Sequence, residues 1–80
     1  MVDIYTLVKD ATYVVNKKFT DFYGNEFLPG ERLIYAERHF LPYHGGHTIV
    51  FKDRNIYFQE EQNKDIIDRF AEYLSPVDVQ

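Results

Sequence analysis

Three histidines, His39, His44 and His47, fall within nine residues, and the last two flank Gly45-Gly46. Imidazole nitrogens ligate zinc, copper or nickel, and a flexible glycine pair lets two side chains converge. A structural site usually wants four ligands, however, and the chain contains no cysteine to complete one. The pattern favours a solvated histidine-rich loop, and no metal or other cofactor is expected. Nucleophilic catalysis is poorly supplied: the one serine, Ser75, follows the last predicted helix. An acid pair such as Asp21 with Glu26 or Glu31 could move protons, but acids set among Gly and Pro are ordinarily turn formers. Gly24, Gly30, Gly45 and Gly46 match neither G-x-G-x-x-G nor G-x-x-x-x-G-K-[ST], so no phosphate cradle is present. No catalytic residue is assigned, and a non-enzymatic protein is expected.

The remaining chemistry is aromatic. Seven Tyr and seven Phe make up 18% of the chain, more rings than one small core needs at about 150–250 Å² each. Phe22, Tyr23 and Phe27 fall in one predicted loop, and Phe40 and Tyr43 border another. Rings exposed at loops favour protein or peptide contact, since Tyr buries large area at low entropic cost. The competing reading folds them back over the ends of the core. Phe22, Tyr23, Tyr43, His44 and His47 are the candidate binding residues.

Composition bounds the rest. Eighty residues suffice for one core and not two, so a single domain over 1–80 is expected. Hydrophobic content of 45% with 28% charge argues against disorder. The chain has no cysteine, which fits a reducing cytoplasm. Met1-Val2-Asp3-Ile4-Tyr5 carries an acid where a signal peptide carries bases, and no run approaches the ~18 apolar residues of a membrane span. The net charge of −4 lies entirely in residues 60–80, where six acids meet two bases; residues 1–59 balance seven against seven. A nucleic-acid binder instead clusters Lys and Arg to displace phosphate counterions, so neither nucleic acid nor membrane is an expected partner.

These side chains need elements to hold them. Residues 4–8 read equally as a helical turn or an edge strand. Residues 12–19 read as a half-buried strand, with Tyr13, Val15 and Phe19 on one side. Turns follow at Asp21-Phe22-Tyr23-Gly24-Asn25 and Leu28-Pro29-Gly30-Glu31. A second strand spans 32–40, with Leu33 and Tyr35 opposite Ile34, Ala36 and Phe40. Residues 47–52 and 55–59 form a hairpin whose Ile49, Phe51, Ile56 and Phe58 share the core face. Ile66, Ile67, Phe70, Ala71 and Leu74 make a helical stripe over 61–74, with Glu60–Lys64 and Asp65–Arg69 as i,i+4 pairs. The predicted fold is mostly β: a small antiparallel SH3-like barrel capped by this C-terminal amphipathic α-helix. An OB-type barrel and an open α+β sheet are the alternatives.

The order Tyr13-x-Val15, Phe19-x-Asp21-x-x-Gly24, Gly30-Glu31, Phe40-x-Pro42-Tyr43-x-x-Gly46, followed by a hairpin and an acidic helix, resembles a bacterial family catalogued as domain of unknown function 3601. The resemblance runs from about Leu7 to Tyr73. Its motif residues are turn and core residues, so it implies a fold and no activity, and the histidines fall outside it. Asp21 reads as the cap of its own turn and Glu31 as an acceptor of backbone N–H groups across its loop. The expected function is that of a cytoplasmic bacterial or phage-type accessory domain that binds another protein, with regulatory and inhibitor-like roles and homo-oligomerisation all open. The alternative is a small-ligand-binding or weakly catalytic pocket between the double-turn loop and the histidine loop.

Overall fold

The computed structural model describes residues 2–42 and 45–77. Seven strands and two short helices follow in order: β1 Thr12–Val15, β2 Phe19–Thr20, β3 Glu26–Phe27, β4 Arg32–Leu41, β5 Gly46–Phe51, β6 Asn55–Gln59, α1 Lys64–Asp68, α2 Phe70–Tyr73 and β7 Leu74–Pro76. Five of them make one sheet in the order β6-β5-β4-β1-β7, and every neighbouring pair is antiparallel. β2 and β3 pair separately as a small ribbon.

One face of the sheet is the core face. Tyr13, Val15, Leu33, Tyr35, Ile49, Phe51, Ile56 and Phe58 are buried there at alternate strand positions, as the period-2 geometry of a strand requires. Leu74 of β7 joins them beside Val15, and a second layer closes over this face: Ile4 from the N-terminal turn, Phe19 and Phe27 from the ribbon and Phe70 from α2. Phe19 stacks on Phe27 at 4.8 Å between ring centroids, and Phe58 meets Phe70 edge-on at 6.4 Å. The lead-in at residues 4–8 resolves to a turn, with Asp3 Oδ1 accepting the Tyr5 N–H at 2.7 Å.

The mostly-β reading holds, and four of its details change. The sheet is open rather than a closed barrel, because β6 and β7 lie at opposite edges and do not pair. The strand expected over 12–19 stops at Val15, although Phe19 stays on the buried side. Just past its end, Asn16 N donates to Tyr73 O at 2.7 Å, in register with the β1–β7 pairing.

The helix expected over 61–74 is broken. Arg69, at φ −116° and ψ 30°, separates α1 from α2, and Leu74 is extended at φ −133° and ψ 139°. Pro76 disfavours helical backbone at Ser75, and residues 74–76 gain more by pairing with β1 as β7. Lys64 pairs with Asp68 at 3.0 Å, while Glu60 turns to His47.

The fourth change concerns β4. The β4–β5 register shifts between Tyr35 and Glu37, so Ala36 is a bulged extra residue. A one-residue insertion reverses the alternation beyond it. Arg38 and Phe40, which face Ile49 and His47, thereby come to the core side, and Leu41 goes to the outer side. The 32–40 alternation placed Phe40 opposite Tyr35. Instead it shares Tyr35's side, half-exposed beyond the core proper.

Phe70→Ala should cost about 3–5 kcal/mol, the usual range for truncating a buried ring, read as a lowered urea midpoint with unchanged slope. An unchanged midpoint would mean that α2 is not docked. Burial pushes the Tyr35 phenol above the ordinary 10.0, opposed by Arg38 and aided by Glu37 and Tyr13. The folded state thus holds this proton more tightly than the unfolded chain. The associated stability is complete below the ordinary value and is lost as pH rises through the folded one. In an alkaline absorbance titration, Tyr35→Phe should remove a step that lies above the ordinary tyrosine value.

Candidate functional site

The loop after β2 is organised by one carboxylate. Asp21 is 5% exposed, and its oxygens accept four hydrogen bonds. Oδ1 takes the backbone N–H groups of Tyr23 at 3.0 Å and Asn25 at 2.9 Å; Oδ2 takes Asn25 Nδ2 at 3.0 Å and Tyr57 N at 3.1 Å. The first two make the turn predicted from the Asp-x-x-Gly-Asn spacing, in which Gly24 adopts φ +82°. The fourth reaches across to the free edge of β6. Beside it, Phe22 N donates to Tyr57 O at 2.7 Å, so the loop is bonded to that strand on both sides of Tyr57.

Held this way, the loop cannot bury its rings. Phe22 is 46% and Tyr23 69% exposed. They meet edge-on at 5.3 Å, and Tyr23 meets the outward ring of Tyr57 at 5.0 Å. Across from them the β4–β5 hairpin contributes Leu41, 55% exposed, with Pro42 and Thr48. Between loop and hairpin lies a groove of about 880 Å³, lined also by residues 59–62 at and after the end of β6. Its ionisable lining includes Glu60 and Glu61, and no lysine or arginine among the described residues.

His47 also borders the groove, though not as expected. The sequence suggests an exposed loop histidine, whereas His47 lies in β5 and is 2% exposed. Tyr5 meets its ring edge-on at 5.9 Å and Phe40 lies at 4.8 Å. Its Nε2 contacts Glu60 Oε1 at 3.1 Å. A carboxylate only accepts, so Nε2 is assigned the proton. Nδ1 is left with no partner among the described residues.

Of the other sequence candidates, Phe22 and Tyr23 form one wall of the groove, while Tyr43 and His44 lie outside the described residues. His39 is paired in register with Thr48, on the outer face, and contacts Glu37 at 3.3 Å. It does not approach His47, and among the described residues no three potential metal-ligating side chains come together. Of the acids considered for proton transfer, Glu26 is exposed and pairs with Lys18 at 3.4 Å, and the other two are occupied. Asp21 is spent on its loop. Glu31 accepts from Leu28 N at 3.3 Å and from Arg54 Nη1 at 2.7 Å, and Arg54 in turn lies 3.8 Å over the Phe27 ring. Glu31 therefore accepts a backbone N–H across its turn, as read from the sequence, and does not line the groove.

Sequence reasoning missed Leu41, Tyr57, Glu60 and Glu61. Tyr57 was recoverable, since Ile56 and Phe58 pointing inward force it outward. Leu41 depended on the bulge, and the two glutamates were assigned to the start of a helix that begins only at Lys64.

No family model matches the chain, and no curated protein matches it. Among solved structures, the fold is similar to that of an integron cassette protein from the mobile metagenome of Vibrio cholerae. The TM-score is 0.85 at 18% identity, over 96% of this chain and 92% of that one. At that identity the likeness establishes a shared fold and nothing of activity. No helix among the described residues is long and apolar enough to cross a membrane.

Asp21→Ala should cost at least about 3 kcal/mol, because it leaves several donors unsatisfied at once. Asp21→Asn should also destabilise, since one oxygen is replaced by an NH₂ group where donors already converge. Thermal denaturation of both variants checks this. An Asn variant as stable as the wild type would mean that only one carboxylate oxygen matters.

Proposed function

We propose that this protein is a non-enzymatic interaction domain that receives a segment of another protein in the groove between the Asp21 loop and the β4–β5 hairpin. The observation that carries the reading is that Phe22, Tyr23 and Leu41, all exposed, line one concave surface. Isolated exposed apolar residues need no explanation, but a grouped set around a groove marks an interaction site. Of the acids considered for proton transfer, Asp21 and Glu31 are committed to loop and turn geometry.

The small-ligand alternative keeps the volume but loses the inward Asp21 and Glu31 that would have favoured it. Within this proposal the chain works in the cytoplasm, consistent with its lack of cysteine. The pattern that resembles domain of unknown function 3601 includes Asp21 and Gly24, the residues that shape the groove's loop. Relatives bearing that pattern are proposed to present the same loop.

The test is quantitative affinity capture from the native host with wild type and with a Phe22→Ser, Tyr23→Ser double variant. The variant should lose the partner while losing only about 0.5–1.5 kcal/mol of stability, as for exposed rings that touch mainly each other. A Leu28→Ser control, altering an exposed apolar residue away from the groove, should retain the partner. Retention by the double variant would move the binding face elsewhere.

A further inference from the structure

We propose that the groove selects a basic segment, with a lysine or arginine of the partner entering between the Tyr23 and Tyr57 rings and the carboxylates of Glu60 and Glu61. This inference rests on reading the groove as a docking face and adds the chemistry of its occupant.

Charge complementarity is the first argument. The chain balances its charges over residues 1–59 and carries its whole deficit beyond them. Some of these acids are paired within the chain, Asp68 with Lys64 at 3.0 Å and Glu72 with Lys17 at 3.8 Å. Glu61 makes no ion pair among the described residues, and Glu60 engages His47 through Oε1 while its side chain stays half-exposed. Both line the groove, without a lysine or arginine beside them among the described residues. An acidic or phosphorylated segment would meet carboxylates and no compensating cation, whereas a cationic one finds two.

The rings give a second, independent argument. Elsewhere the molecule covers ring faces with its own cations: Arg54 over Phe27, Arg38 over Tyr5 at 4.7 Å and Lys17 over Tyr73 at 5.2 Å. Phe22, Tyr23 and Tyr57 have no such cation among the described residues and meet each other edge-on. In each edge-on contact the ring that presents its edge keeps its own faces clear of that partner, and an open ring face attracts ammonium and guanidinium groups. Apolar stems of Lys or Arg would lie along Leu41, as these side chains do when the charged head reaches a polar partner.

The experiment is to pan a display library of random peptides against the full chain. The best peptide is then measured as a synthetic ligand on the wild type, on Glu61→Lys and on the Phe22→Ser, Tyr23→Ser double variant. Enriched peptides should carry a Lys or Arg beside apolar residues. Their affinity should fall at least about tenfold on Glu61→Lys and weaken steadily as salt rises, as a partly exposed ionic contact does. Replacing the peptide's base by Glu should restore part of the affinity on Glu61→Lys. Glu61→Gln, which keeps size and removes charge, gives the same reading if the lysine variant folds poorly. Neutral or acidic peptides that the ring variant no longer binds would overturn the basic selectivity and leave the docking face standing. Peptides indifferent to the ring variant, or no enrichment at all, would overturn both.

Discussion

The structure depends on a single buried carboxylate more than on any other polar group. Burying a carboxylate is costly unless its lone pairs are met, and Asp21 is met four times. Two bonds close its own turn, one fixes the Asn25 side chain and one takes the outward N–H of Tyr57. The same group thus sets the loop's shape and its attachment. Because Asp21 occupies the inward position of the turn, Phe22 and Tyr23 are left on the outside, and the attachment to β6 brings Tyr23 against Tyr57. The exposed rings follow from how that carboxylate is satisfied.

The attachment also explains how an open sheet survives with two edges. Strand edges offer unpaired N–H and C=O groups on which other chains can add. On β6, Tyr57 is bonded to Asp21 and Phe22, while Gln59 N donates to Asn63 Oδ1 at 2.9 Å and Gln59 O accepts from Asn63 N at 2.8 Å. On β7, Leu74 N donates to Phe70 O, and Pro76 has no N–H to offer. Each edge is finished locally by a loop or a helix end. A partner seated in the proposed groove would therefore be read by side chains and not by strand addition.

Much of this was legible in the sequence, and the boundary of legibility has a physical form. The buried sides of β1, β5 and β6, the turns at Asp21 and Glu31 and the buried C-terminal Phe70 and Leu74 were readable, because each is written in residues close along the chain. Closure, helix length and strand phase were not. Each is decided by pairing between distant segments: β1 lies between β4 and β7, so residues 74–76 become a strand only because Thr12–Val15 waits for them. The helical stripe is split between two short helices broken at Arg69, with Leu74 reaching the core from extended backbone. His47 misled for a related reason. A histidine beside Gly-Gly reads as solvated even at the start of a strand, yet its pairing with Phe40 and Phe58 puts it on the buried side of β5.

The bulge at Ala36 shows how far such a non-local choice reaches. With regular pairing, the alternation set by Leu33 and Tyr35 would have continued to Glu37, His39 and Leu41 on the core side, and Phe40 would have faced out. One extra residue exchanges the two sets. Phe40 then packs beside His47 on the core side, which helps bury the imidazole and leaves it bonded to Glu60. Leu41 moves to the outer face and becomes the hairpin's contribution to the groove. The bulge therefore bears on two parts of the groove: it sets the apolar residue opposite the rings, and it places Phe40 against the His47 that Glu60 contacts. An alternating strand without it could make the same sheet and the same core, but it would present the groove with a different surface.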